Sequence, residues 1–256
     1  MRSRTPALLT VPAVAGGLLL LVPLAALLRR TPWGRLPTLL GRDDVQAALW
    51  LSVRCAAGAT ALSLLLGVPL AYVLARSRLS GRRVLRGLVT VPLVLPPVVG
   101  GVALLLAFGR RGVFGPLLVE AGAVPAFTTW GVVLAETFVA LPFLVLSVEG
   151  ALSGLDRTAE EVAATLGASP LRVFATVTLP AVGPSVGAGA VLAAARALGE
   201  FGATTTFAGS LQGRTQTSPL LVYALLQDDP AAAYALSATL LVVSVALVLL
   251  LRGRSR

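Results

Sequence analysis

Residues 231–251 read AAAYALSATLLVVSVALVLLL, twenty-one positions from Ala231 to Leu251 without one charged side chain. A helix needs about 20 mostly apolar residues to cross the hydrocarbon of a bilayer. This run supplies them, and its few hydroxyls can bond back to carbonyls of the same helix. Five stretches of the same kind precede it: Leu8 to Leu28, Val45 to Ala75, Gly87 to Phe108, Thr128 to Val148 and Ala181 to Ala208. The composition agrees. Hydrophobic residues make up 56% of the 256-residue chain, charged residues only 12%, and the mean hydropathy is +0.89. Soluble domains carry roughly 25% charged residues, so half that share points to lipid as the solvent. The expected fold is all-α and polytopic, with about six transmembrane helices.

The 21 basic residues are all Arg and face 11 acids, a net charge of +10. In a membrane chain such an excess is the topological charge of cytoplasmic loops, and no nucleic-acid partner is inferred from it. With the amino terminus inside, 12 Arg fall on the cytoplasmic side (2, 4, 76, 78, 82, 83, 86, 157, 172, 252, 254 and 256). Seven fall outside (29, 30, 35, 42, 110, 111 and 214), and Arg54 and Arg196 lie within spans. Both termini are therefore expected in the cytoplasm, against the local vote of a first outer loop with four Arg. The first stretch follows Arg2 and Arg4 as a secretory signal would, but its apolar run is longer than a signal core and five more spans follow. One cysteine, Cys55, excludes an internal disulfide, and with no His there is no transition-metal cluster.

The connection from Gly150 to Leu179 is neither a tight turn nor a linker; it reads as two short helices. Asp156 is placed to cap a first helix from Arg157 to Leu166, with Glu160 and Glu161 in the turn where the helix dipole favours acids. Gly167 stands where a left-handed C-terminal residue is needed. Ser169 and Pro170 suit the cap and first position of a second helix running toward Pro180. Val162, Leu166 and Leu171 give the pair apolar faces outside the bilayer, which suggests a docking surface.

The segment Glu161-Val-Ala-Ala-Thr-Leu-Gly167, followed by Leu179-Pro180, resembles the coupling (EAA) loop of type I ABC importer permeases, with Glu161, Ala163 and Gly167 at the matching spacing and Val162 where the family often has Ala. The resemblance covers about residues 45–250. A second segment, Ala195-Arg-Ala-Leu-Gly-Glu-Phe-Gly-Ala-Thr204, is similar to a stretch shared by molybdate and sulfate permeases. Gly213-Arg-Thr-Gln-Thr217, with Tyr223 beyond it, resembles the molybdate and tungstate branch, although Gln212 stands where many relatives have Pro. The resemblance implies an importer permease fold, residues 1–44 forming an N-terminal span and outer loop, and residues 45–251 forming the permease domain with its coupling loop at about 150–179. It implies an ATP-driven importer of molybdate or tungstate, with sulfate or thiosulfate as the alternative cargo.

The implied partners are cytoplasmic ATPase subunits, an extracytoplasmic molybdate-binding protein, a second copy of the chain in a homodimer, and membrane lipid. The chain has no Lys, hence no GxxxxGK[ST] phosphate loop; no cofactor is expected on it, and ATP and Mg are expected on the ATPase. It is not expected to be an enzyme. The implied coupling residues are Glu161, Ala163, Gly167, Ala168, Ser169 and Pro170. Candidates for the translocation path or gate are Arg196, Gly199, Glu200, Thr204 and Thr205, of which Arg196 and Glu200 are spaced to pair along a helix. Arg214 and Thr215 are candidates for contact with the binding protein. Pro92, Pro96 and Pro97 should kink or break the third span, and the Gly183 to Gly187 spacing suits close helix packing. Glu136 and Arg54 are candidate partners across helices. An ATP-independent secondary transporter would show an internal repeat, and none is evident between the halves.

Overall fold

The computed structural model describes residues 7–77 and 79–253. Arg2, Arg4, Arg78, Arg254 and Arg256 of the charge count lie outside the described residues. Among the described residues every regular element is helical: α1 Ala7–Arg30, α2 Leu36–Leu40, α3 Asp43–Arg76, α4 Arg82–Val94, α5 Pro97–Phe108, α6 Gly115–Glu120 and α7 Thr129–Gly154 come first. There follow α8 Thr158–Thr165, α9 Pro170–Val173, a π turn Phe174–Thr178, α10 Leu179–Ala181, α11 Gly183–Leu198, α12 Gly202–Phe207, α13 Ser218–Asp228 and α14 Pro230–Gly253. Four helices, α1, α3, α7 and α14, are each long and apolar enough to span a membrane; two bent pairs raise the number to six.

Two of the six expected spans are bent pairs, the third span broken at the proline group as expected and the fifth broken unexpectedly. The third stretch is α4 and α5, which meet at 119°. Pro92 is accommodated inside α4, whereas Leu95 and Pro96 take extended ψ values and Pro97 opens α5, as expected of residues preceding proline. The fifth stretch is also divided: α11 ends at Leu198, residues 199–201 break the helix, and α12 is separate. At its other end α11 makes a 73° bend with residues 170–181. The connection expected between Gly209 and Pro230 contains the 11-residue α13, too short to register as a span.

Helix α7 is the centre: 67% of its most apolar window is buried, against 0% for α1, which lies on the outside. Leu144 of α7 is fully buried between two glycines. A Cβ on Gly67 of α3 would come within 2.9 Å of one Leu144 methyl, and a Cβ on Gly189 of α11 within 2.9 Å of the other. The small-residue contact expected at Gly183 and Gly187 is therefore made at Gly189, since a Cβ at either of the former meets nothing within 4 Å. The second close approach joins the two broken spans. A Cβ on Gly101 of α5 would sit 2.8 Å from the Ala203 carbonyl oxygen of α12, and one on Gly202 would sit 2.8 Å from Cβ of Pro97.

The long helices also carry different side chains at their two ends. At 34 residues α3 is about 51 Å long, more than the hydrocarbon requires, so its ends project. All three tryptophans are exposed and stand toward helix ends: Trp33 just after α1, Trp50 near the start of α3 and Trp130 at the start of α7. Tryptophan in such positions marks a membrane interface. Arg76, Arg82, Arg83, Arg86, Arg157 and Arg172 gather toward the opposite end of these helices.

Gly101→Ala should lower the thermal unfolding midpoint of the detergent-solubilised chain, because overpacking costs about 1–3 kcal/mol and the obstructing atoms, Cβ of Thr206 and the backbone of Ala203, cannot swing aside. Gly187→Ala should leave it unchanged or raise it. Equal midpoints for the two variants would show that the α5–α12 contact is loose.

Candidate functional site

The loop after α7 is built by local chemistry. Asp156 Oδ1 accepts hydrogen bonds from the Thr158 backbone N–H at 3.1 Å and from its hydroxyl at 2.9 Å, which holds the Asp156 carboxyl below the usual carboxylate range. The cap therefore strengthens above the ordinary carboxylate pKa and is lost as pH falls through the lowered value. Helix α8 starts at Thr158, one residue later than expected. It ends in a left-handed turn: Gly167 has φ +87°, its N–H donates to Ala164 O at 3.0 Å and that of Ala168 to Ala163 O at 3.1 Å. Ser169 then caps α9, its Oγ accepting from the Arg172 N–H, with Pro170 at the first position. Ala163 and Ala168 are half-buried under the turn, and Glu161 is exposed. Around it Val162, Leu166 and Leu171 are 52%, 83% and 75% exposed, an apolar surface that the protein itself leaves uncovered.

Glu160, beside Glu161, has a different environment that the sequence analysis did not single out. Its Oε1 accepts from Arg76 Nη2 of α3 at 3.2 Å and from the Thr178 hydroxyl at 2.9 Å. The loop is flanked by a second pair, Arg86 of α4 with Glu149 of α7, where Arg86 Nε donates to Glu149 Oε1 at 2.8 Å.

At the break after α11, Arg196 and Glu200 do meet, Nη2 to Oε2 at 2.6 Å, but across the end of the helix and not along it. Glu200 is 1% exposed. Its other oxygen accepts the Ala203 N–H at 2.8 Å, satisfying a backbone donor that the break would leave unpaired at the start of α12. One carboxylate thus neutralises Arg196 and caps α12. Gly199 borders an open apolar groove of about 430 Å³, lined also by Phe201, Val222, Tyr223, Leu226 and Leu240. The hydroxyl of Thr204 is fully buried without a hydrogen-bond partner, and Thr205 is half-buried; Thr204 lies inside the packing and does not face an open path. Glu136, also 1% exposed, is within electrostatic reach of Glu200. It is not paired with Arg54, which is exposed on α3 and stacks 4.5 Å from the centre of the Trp50 ring.

The loop between α12 and α13 is pinned from within. Thr215 is fully buried and its Oγ1 accepts the Leu211 N–H at 2.9 Å. The expected outward contact through Thr215 is corrected accordingly: its side chain closes the loop. Arg214 is exposed, while its carbonyl accepts the Thr129 hydroxyl at 2.9 Å and ties the loop to α7.

Residues 64–253 match the family described as the binding-protein-dependent transport system inner membrane component. The chain belongs to that family. It is 54% identical over 239 residues to the molybdenum transport system permease protein ModB of Mycobacterium tuberculosis, covering 93% of this chain and 90% of that one. It is 41% identical over 209 residues to ModB of Escherichia coli, covering 81% and 90%. The sulfate transport system permease protein CysT of Salmonella typhimurium is 34% identical over 235 residues, covering 90% and 85%. Among solved structures, a bacterial ABC transporter importing the acidic polysaccharide alginate aligns with TM-score 0.69 at 18% identity, over 97% of this chain and 93% of that one. The methionine transporter MetNI in an inward-facing form aligns with TM-score 0.60 at 16% identity, over 84% and 100%. These two likenesses concern the fold alone; the inner-membrane location comes from the family match.

Gly167→Ala tests the turn of this permease. A Cβ there meets nothing within 4 Å, so the variant should assemble; the cost is conformational, about 1–2 kcal/mol for a left-handed residue with a Cβ. Uptake driven by ATP should fall severalfold with the membrane content of the chain unchanged, and undiminished uptake would show that the turn is dispensable.

Proposed function

We propose that the permease carries molybdate, and its near-isostere tungstate, into the cell. The observation that carries this reading is the 54% identity to a molybdenum transport permease over 93% of the chain, well above the 34% to a sulfate permease. A tetrahedral dianion cannot enter hydrocarbon, because even a single unpaired charge there is costly. A protein-lined path must open alternately to the two faces. Two copies of the chain would form that path at their twofold interface, each contributing one coupling loop. The open groove beside Gly199 and Phe201, one turn beyond Arg196, supports placing it there.

The chain catalyses no reaction; ATP and Mg would be bound by two cytoplasmic ATPase subunits. The exposed Glu161 and the apolar surface of Val162, Leu166 and Leu171 are the docking surface for them, with Gly167, Ser169 and Pro170 shaping it. An external binding protein would deliver the anion, with Arg214 as its contact. Both termini would lie in the cytoplasm, an orientation supported by the tryptophans at one end of the long helices and the arginines at the other.

A strain lacking this chain should lose uptake of labelled molybdate and regain it when the chain is restored, with excess tungstate, but not sulfate, competing. Restoration of sulfate uptake alone would keep the permease and overturn the cargo.

A further inference from the structure

Helix α8 has no fully buried residue, so apolar packing holds it to the rest of the chain only weakly. The Asp156 cap and the Gly167 turn shape it locally. Among the described residues, its only side-chain hydrogen bonds to other elements are those of Glu160. Both end on the same atom, Oε1, and reach two different elements. Arg76, the last residue of α3, comes from 84 positions earlier in the chain, and its side chain is 9% exposed. Thr178, fully buried, closes the π turn that leads through Pro180 into α11.

We infer that Glu160 is a positioning residue for transport, a clasp through which displacement of the coupling helix is passed to α3 and to the start of α11 together. The inference rests on the reading that an ATPase drives this permease through α8. The neighbouring acids then divide the work: Glu161 faces outward to the partner, and Glu160 faces inward to the transmembrane helices. Without the clasp, no side-chain hydrogen bond among the described residues would hold α8 to α3 or to Thr178. The contact of α8 with the π turn and α9 and the chain at residues 155–157 and 166–169 would remain, a looser hold through which α8 could shift without drawing α3 along. A Tyr72–Phe174 ring contact, with centroids 5.0 Å apart, joins α3 to the π turn independently. Those two elements would stay together and only α8 would be freed.

The test uses the whole transporter, permease with its ATPase and binding protein, in proteoliposomes, and reads molybdate transported per ATP hydrolysed. Glu160→Gln keeps the shape and an acceptor for Thr178 but removes the charge that holds Arg76. The ratio should fall about fivefold or more, at least the low end of ordinary coupling between sites, while the ATPase still co-purifies. Exchanging the charges, Arg76→Glu with Glu160→Arg, should recover most of it. An unchanged ratio for Glu160→Gln would overturn the inference, as would an exchange variant no better coupled than Glu160→Gln. The unaltered chain is the control for the underlying reading: absence of ATP-dependent molybdate uptake there would refute the proposed function, separately from the clasp.

Discussion

A backbone in hydrocarbon has no water to bond to, and every N–H and C=O must find a partner within the protein. Uninterrupted helices meet this demand automatically, which is why α1, α3, α7 and α14 need little else than apolar length. Each departure from a straight helix in this permease is accompanied by a local remedy. At the break between α4 and α5 the residues are Pro96 and Pro97, which have no N–H to leave unpaired. At the break after α11, the Glu200 carboxylate accepts the Ala203 N–H. Where α13 begins, the Ser52 hydroxyl of α3 accepts the Ser218 N–H at 2.7 Å, both residues being buried. The irregular backbone lies where such partners could be supplied.

The same scarcity of solvent governs the charges. Glu200, Glu149 and Glu160 are buried or nearly so, and each is held by an arginine from elsewhere in the fold or across a break. Removing one member of such a pair strands the other in a medium that cannot solvate it. At the start of α3 Arg42 bridges Asp44 and Asp229, at 2.8 Å to each, and ties that end of the helix to the turn before α14. Here the residues are more exposed, and the pairs fix geometry more than they add stability.

What could be read from the sequence follows from the range of the forces involved. Apolar length is a local property, and the spans were legible from it. So was the local chemistry of the loop after α7, because Asp156, Gly167, Ser169 and Pro170 act on their immediate neighbours. The break after Leu198 was hidden by its own remedy: Arg196 and Glu200 stand four apart, the spacing of a continuous helix. Thr215 looked like an outward loop residue, since nothing nearby in sequence reveals that its hydroxyl closes on Leu211. The spacing to Gly167 marked out Glu161, but nothing in the sequence told that its neighbour Glu160 turns inward, which only the return of α3 to the loop reveals.

The glycine contacts show which parts can move relative to one another. Gly101 and Gly202 bring α5 and α12 so close that their backbones and Cβ atoms touch, with no long side chains between them to repack. Sliding one past the other would drive Ala203 and Thr206 into α5, so the two helices form one unit. Both members of that unit end at a break, α5 at Pro96 and α12 at residues 199–201. The unit is therefore joined to α4 and α11 through the two places where helical hydrogen bonding is already interrupted. Bending there disturbs neither the Leu144 contact with Gly67 and Gly189 nor the glycine seam. Packing resists small continuous deformation, so α11 is expected to move as a rigid body up to residues 199–201. There Glu200 links the two helices, paired to Arg196 on one side and capping α12 on the other.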